Sequence, residues 1–424
     1  MLTTTETSGA DATTARRPLV ESRMRWAVEM LAEPGPGLAE DPRDHFVAAF
    51  VDKHGDGLSA LLDSWRAQGP FTVESYTPVA HKGWATLIGP TGDRFTLSIV
   101  IDSSGLIRGL GLGPELVIPP LRDWDELDAA LDVPGVTSTA LVARLVDDRW
   151  VSLYERSPDR LMPTGSAYKL YLLRALARAI EAGTVRWDEE LTLLPQLRSL
   201  PTGEMQDLPD GARATVREVA HKMIAMSDNT AADMVLHRLG RDAVHRAVVD
   251  SGHQDPDVLR PFLSSRELFE IGWGDDPSLL PEWSAGDRAQ RYELLRRIER
   301  PLTTRMRDLN RPVYHLGLDW FLSARDVANA LAGVWRDTTR DRTGTIREIV
   351  TTYPGVPIDG ERWPVAVFKG GSSPGVVMFC WLLVDPAGVP HVVVLQQCGE
   401  DPGQVGDGLR LRGLGDRIIH SLLP

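Results

Sequence analysis

At 424 residues the chain is long enough for two or three domains. Its 42% apolar and 25% charged residues are those of an ordinary globular protein. A net charge of −13, with no Lys/Arg-rich block, argues against nucleic-acid or anionic-membrane partners. The two cysteines, Cys380 and Cys398, form neither a disulfide framework nor a metal cluster and read as buried free thiols. No metal or cofactor site is expected, and the partner expected is a small-molecule substrate.

Residues 1–21 are rich in Thr, Ala, Ser and Gly and lack the apolar core of a secretory signal. They read as a disordered leader. No apolar run approaches the ~18 residues of a membrane span. The expectation is a cytoplasmic protein.

Residues 22–126 read as a small α+β domain. Met24, Ala27, Met30 and Leu31 have helical spacing, a second helix is expected from Asp41, and a third over residues 58–65. Strand patterns follow at 71–76, 84–88, 95–101 and 106–110, with a turn at Asp102-Ser103-Ser104-Gly105. Helices followed by a meander resemble the cone-shaped NTF2/ketosteroid-isomerase superfamily. Lys82, beside Trp84 on a hairpin, is either a solvated turn lysine or a substrate contact. Pro114, Pro119 and Pro120 suit a linker.

Residues 127–424 read as a catalytic α+β domain. A hairpin at 140–145 and 150–154 opens it. Strands at 365–368, 375–384 and 392–395 and a helix from Val405 to Leu422 close it, around a helical middle. One antiparallel sheet built from both ends of the domain, with helices packed on it, is the economical architecture.

Three short stretches carry chemistry. Ser166-Ala167-Tyr168-Lys169 opens a helix that is apolar almost all round up to Gly183. That puts a hydroxyl and an amine one helical turn apart, beside free backbone amides. Ser227-Asp228-Asn229 lies between two helices, over 215–226 and 230–239, where it is also good N-cap chemistry. Lys369-Gly370-Gly371-Ser372 ends a strand, either as a bulge or as a place where backbone approaches a ligand.

Together and in this order, Ser-x-x-Lys, Ser-Asp-Asn and Lys-x-Gly resemble the penicillin-binding and class A β-lactamase superfamily. The 61-residue interval from Ser166 to Ser227 fits that family, and the resemblance covers roughly residues 135–424. It implies Ser166 as nucleophile and Lys169 as its base. Ser227 relays a proton, Lys369 supplies positive charge, and Asn229 holds Lys169 and the substrate. The backbone amides of Ser166 and Ser372 form an oxyanion hole, with Gly371 letting the strand approach.

The chain departs from the family's pattern in three places. Gly370 stands where a hydroxyl residue is usual, and Ser372 or Ser373 is the available replacement. In Ser264-Ser265-Arg266-Glu267-Leu268-Phe269, Ser265 falls at the deacylating glutamate and Phe269 at an asparagine. That argues against class A β-lactam hydrolysis, with Glu267 and Glu270 as possible substitutes. Ser227 and Lys369 are also unusually far apart, with extra sequence around 271–326 containing Trp273, Trp283, Tyr292, Tyr314 and Trp320. This reads as an added helical cover.

The two-domain arrangement further resembles the β-lactamase-like proteins of clavulanic-acid biosynthesis, which implies a substrate contact at Lys82. The function expected is an acyl-enzyme serine hydrolase of esterase type on small β-lactam- or cephalosporin-like esters, in secondary-metabolite biosynthesis. The alternative is a protein that binds or captures a β-lactam or peptide ligand without turnover.

Overall fold

Alternating hydrophobicity sets the first sheet. The computed structural model describes residues 9–32, 41–55, 57–79, 82–102, 104–115, 119–305, 309, 311–406 and 408–422. The chain divides into two units, residues 1–117 and 118–424.

In the first unit, α1 (Gly9–Ala32), α2 (Ala48–His54) and α3 (Gly57–Arg66) accompany four strands, β1 (Thr72–Val79), β2 (Lys82–Ile88), β3 (Arg94–Ile101) and β4 (Ile107–Pro114). The strands form an antiparallel meander in sequence order. β2 alternates half-buried and buried residues along its length. Val20, Met24, Ala27, Met30 and Leu31 of α1 join its core. The helix crosses β2 at Gly83, where a Cβ would collide with Met24 and Val20. α1 begins at Gly9, within the stretch that composition alone assigns to a leader, and its packed residues begin at Val20. Residues 1–8 lie outside the described structure. The expected second helix begins at Ala48; Asp41 instead caps a short 3-10 turn at Pro42–Asp44.

The second unit opens with α4 (Trp124–Leu131), β5 (Val136–Val146), β6 (Arg149–Arg156), β7 (Met162–Pro163) and α5 (Lys169–Glu181). Its helical middle holds β8 (Glu190–Thr192), β9 (Arg213–Thr215), α6 (Val216–Ala225), α7 (Asn229–Leu239), α8 (Arg241–Asp250) and α9 (Ser265–Trp273). α10 (Leu279–Ala285), α11 (Arg288–Arg297), β10 (Phe321–Leu322), α12 (Ala324–Arg340) and α13 (Thr345–Thr351) follow. The chain returns through β11 (Val365–Ser373), β12 (Val376–Val384) and β13 (Pro390–Gly399), then α14 (Pro402–Val405) and α15 (Leu409–Ser421).

Five strands form one antiparallel sheet in the order β11-β12-β13-β5-β6, drawn from both ends of the unit. Both faces are covered. Ala140, Val142, Trp381, Leu383 and Val393 face Leu127 and Leu131 of α4 and Leu411, Leu414 and Ile418 of α15. Leu141, Ala143, Cys380, Leu382 and Val394 face the helical side, with α5 and α12. Two-sided burial is why these strands read as continuous apolar runs rather than alternating ones. It also places α4 wholly in the second unit, whereas the sequence reading cuts it at residue 126. Cys380 and Cys398 are buried free thiols on β12 and β13.

The extra stretch after α9 is anchored by its indoles. Trp273 Nε1 donates to Arg311 O (3.1 Å), Trp283 Nε1 to Gly317 O (2.9 Å) and Trp320 Nε1 to Leu263 O (3.2 Å). All three indoles belong to the main core. A buried tryptophan needs a partner for its N–H, and here carbonyls of the same stretch or of its neck supply it. No described helix is long and apolar enough to cross a membrane.

Candidate functional site

Ser166 sits in a 3-10 turn, Gly165–Tyr168, that runs directly into α5. The α-helix proper starts at Lys169, so the serine precedes the helix rather than lying in its first turn. Leu170, Tyr171, Leu172 and Leu173 bury the start of α5 on all sides. Lys169 is consequently fully buried at 0% exposure, while Ser166 is half-buried.

A cationic side chain can be buried only with partners. Lys169 Nζ donates to Ser227 O (2.6 Å), Asn229 Oδ1 (2.6 Å) and, at longer range, Ser227 Oγ (3.2 Å). Lys369, 2% exposed on β11, donates to the same Ser227 Oγ (2.9 Å) and to Gly370 O (2.5 Å). One hydroxyl thus lies between two amines. Burial, and secondarily the charge of Lys369, push the Lys169 amine well below the ordinary lysine range.

The loop presenting Ser227 is over-determined. Ser227 has φ +57°, a left-handed conformation uncommon for a residue with a side chain. Its carbonyl accepts from both Lys169 Nζ and Thr202 Oγ1 (2.6 Å). Asp228 caps α7 through Ala231 N (2.9 Å) and also accepts from Glu204 N (2.8 Å) and Met205 N (2.9 Å). Asn229 Nδ2 donates to Leu200 O (2.5 Å), which orients its carbonyl oxygen toward Lys169. The N-cap and the site are therefore the same three residues.

β11 meets the serine turn at backbone distance. A Cβ on Gly371 would lie 2.0 Å from Thr164 O and 2.8 Å from Ser166 N. One on Gly165, whose φ is +51°, would lie 2.7 Å from Ser372 N. Glycine is required at both positions, and the amides of Ser166 and Ser372 flank the approach. The Ser372 side chain is exposed, whereas Ser373 Oγ donates to Asp319 Oδ2 (3.0 Å). Ser373 is therefore already engaged and does not replace the hydroxyl missing at Gly370.

Neither acidic residue of α9 is free to act on Ser166. Glu267 closes the α9 capping box by accepting from Ser264 N (2.8 Å), and it pairs with Arg241 (2.5 Å). Glu270, fully buried, accepts from Thr303 N (2.9 Å) and Thr303 Oγ1 and pairs with Arg300. Ser265 Oγ lies 2.5 Å from Tyr168 OH, and Phe269 is buried in the core. Asp233 accepts from Ser265 N (2.7 Å) and Arg266 N (2.8 Å), docking the start of α9, and burial pushes its carboxyl up to about 7.

Of the residues singled out in the sequence, Lys169, Ser227, Asn229 and Lys369 form one hydrogen-bonded network. Ser166, Gly371 and Ser372 meet at the adjoining turn. Lys82 belongs to the first unit, half-buried at the start of β2 with Val79 and Val100 as its Cα partners. Sequence reasoning missed Thr202, Asp233 and Asp319. Asp233 had a signal, since it stands one helical turn (i, i+4) after Asn229. Asp319 also had one, a carboxylate between apolar Leu318 and Trp320. Among the described residues no group of three or more His, Cys, Asp or Glu side chains is placed to hold a metal ion.

Comparison with known proteins follows this division. A family model described as "Beta-lactamase enzyme family" matches residues 125–347, and one described as "ORF 12 gene product N-terminal" matches residues 15–107. No curated protein matches the chain. Among solved structures, the chain is similar to PBP-A, at 17% identity over 72% of this chain and 98% of that one, with a TM-score of 0.46. It is similar to a β-lactamase from Sphaerobacter thermophilus DSM 20745 at 20% identity over 70% and 94%, with a TM-score of 0.47. A class A β-lactamase from Mycobacterium abscessus matches at 16% identity over 70% and 96%, with a TM-score of 0.46.

Proposed function

This chain belongs to the β-lactamase enzyme family, and on that premise we propose that it is an active-site serine hydrolase that forms an acyl-enzyme on Ser166, preferentially from small esters. The observation that carries the reading is the pair of buried amines on one hydroxyl: Lys169 and Lys369 both bonded to Ser227 Oγ, beside the Ser166 turn.

Lys169, whose amine burial pushes well below the ordinary lysine range, has in its neutral form a lone pair to take the Ser166 proton as Oγ attacks the substrate carbonyl. A neutral amine still has two N–H groups for its two short bonds, to Ser227 O and Asn229 Oδ1. The tetrahedral oxyanion is received by the Ser166 and Ser372 amides. As the intermediate collapses, the carbon–oxygen bond to the alcohol breaks. The departing alkoxide takes a proton from Ser227 Oγ, which Lys169 restores. Water then cleaves the acyl-enzyme, releasing the acid and the free serine.

Esters are favoured over amides because an alkoxide needs less protonation to leave than an amine. The engaged states of Glu267, Glu270 and Ser265 support slow hydrolysis of β-lactam acyl-enzymes, since no carboxylate of α9 is free to activate water. The same observation favours a second reading, a protein that captures a β-lactam or peptide ligand and releases it negligibly. We extend the first reading to cephalosporin-type esters in clavam or related secondary metabolism. We treat the first unit as an isomerase-like accessory domain whose Lys82 contacts substrate.

The test is intact-protein mass after mixing with a cephalosporin bearing an ester side chain, with product followed in the same tube and Ser166→Ala as control. Deacetylated product with the lactam ring kept, absent in the variant, establishes the esterase. A stable adduct without product establishes capture.

A further inference from the structure

The oxyanion-binding amides come from two separate pieces of chain, and something must fix the gap between them. Ser166 N belongs to the turn after β7, and Ser372 N belongs to the end of β11. A buried carboxylate, Asp319, touches both pieces. Its Oδ1 accepts from Gly165 N (2.9 Å), Thr164 N (3.2 Å) and Trp320 N (2.7 Å). Its Oδ2 accepts from Ser373 Oγ (3.0 Å). Asp319 is 5% exposed, so these four donors are what satisfies it.

We propose that Asp319 is a positioning residue for acyl transfer, which sets the spacing of the Ser166 and Ser372 amides by holding the residue before one and the residue after the other. The proposal rests on the reading of Ser166 as an acylated nucleophile.

A purely structural role for Asp319 would be to fasten the loop before β10 to the serine turn. That job is already done without its side chain. Thr164 N and Thr164 Oγ1 both donate to Trp320 O, at 3.0 and 2.9 Å. β7 pairs with β10 through Phe321–Pro163 and Leu322–Met162. Tyr168 stacks on Trp320 with ring centroids 3.7 Å apart. What Asp319 adds is the link to Ser373, and through it to β11. The gap it spans has no slack, since a single methyl at Gly165 or Gly371 would fill it. An amide donor acts on an oxyanion only within a few tenths of an ångström of its best distance, so a device that sets this gap controls the acylation rate.

The experiment compares Ser373→Ala, Ser373→Thr, Asp319→Asn and the double variant Asp319→Asn/Ser373→Ala. Acylation by p-nitrophenyl acetate and affinity for phenylboronic acid are measured, with Ser166→Ala as blank. Phenylboronic acid adds Ser166 Oγ to boron as the serine proton passes to Lys169. The tetrahedral product places an oxygen where the oxyanion would lie.

Ser373→Ala is expected to lower the acylation rate constant and the boronate affinity together by roughly 10- to 100-fold, with KM unchanged. Ser373→Thr, which keeps the hydroxyl, is expected to recover most of the loss. Asp319→Asn cannot accept through Nδ2, so it should lose a similar factor, and the double variant no more than either single one. Wild-type rate and boronate affinity in a folded Ser373→Ala overturn the proposal, whether or not Asp319→Asn folds. Wild-type protein that is neither acylated at Ser166 nor binds the boronate overturns the acyl-enzyme reading itself, and this inference with it.

Discussion

The substitution Gly371→Ala adds one methyl group where the site has no room. Its Cβ would lie 2.0 Å from Thr164 O, and contacts under 3.0 Å are essentially never seen, so β11 must retreat by about 1 Å. The obstacle is a backbone carbonyl, so no side chain can move aside. Ser372 is the next residue, and its amide retreats with the strand. Losing one oxyanion donor costs about 10²- to 10³-fold in rate, or ~2.7–4 kcal/mol.

Gly370→Ala is the matched control. Its Cβ would meet the Phe379 ring at 3.1 Å and Phe368 at 3.3 Å, both flexible side chains. Its expected effect is within about threefold, since the displaced atoms are ring edges rather than backbone. The assay is burst kinetics with a chromogenic ester, with thermal unfolding to show that both variants fold. A folded Gly371→Ala protein acylated within threefold of wild type would refute the assignment of the Ser372 amide as an oxyanion donor.

Other expectations follow from the same geometry. Lys169 must be neutral to act as base, and its amine is held well below the ordinary lysine range by burial and by Lys369. Acylation should therefore rise with pH through an acidic limb in that lowered range. Lys369→Ala, which removes the like charge, should move the limb to higher pH, and an unmoved limb in the pH–rate profile would assign it to another group. Ser265→Glu places a carboxylate at the start of α9, where a hydroxyl now meets Tyr168 OH. Release of a β-lactam acyl-enzyme, timed by mass spectrometry, should quicken, while overpacking at this buried position lowers stability by ~1–3 kcal/mol. Asp337→Ala leaves Arg174 buried without its ion-pair partner and should cost ~3–5 kcal/mol in denaturant unfolding without changing acylation by folded protein.

The three motifs were legible because each is short and each sits at an element boundary that local sequence marks. Ser166 and Lys169 precede an all-apolar helix. Ser227-Asp228-Asn229 ends one helix and caps the next, and Lys369 closes a strand run. The sheet was legible because apolar runs at both ends of the domain leave few ways to be buried. Unit boundaries were less so. The boundary read at residue 126 cuts through α4, whose Leu127 and Leu131 pack on Leu411, Leu414 and Ile418, nearly three hundred residues later. Residues 9–21 carry no obvious amphipathic pattern, yet they continue a helix whose Val20 and Met24 are locked against Gly83.

What sequence could not show is which polar groups are already spent. Glu267, Glu270 and Ser373 were all reasonable substitutes for missing catalytic or binding groups, since each has the right chemistry close to the right position in the chain. The folded structure gives each of them another partner: Arg241 and Ser264, Thr303 and Arg300, and Asp319. A buried carboxylate that already has its donors would have to break those bonds before it could serve as a base, and the broken bonds cost more than a surface rearrangement. The chemistry of this site is therefore set by subtraction. Two buried amines that share the Ser227 hydroxyl, and the two backbone amides at the serine turn, are the groups the acyl-enzyme reading draws on. With the α9 carboxylates engaged, acyl-enzyme lifetime, rather than its formation, is what separates an esterase from a protein that captures its ligand.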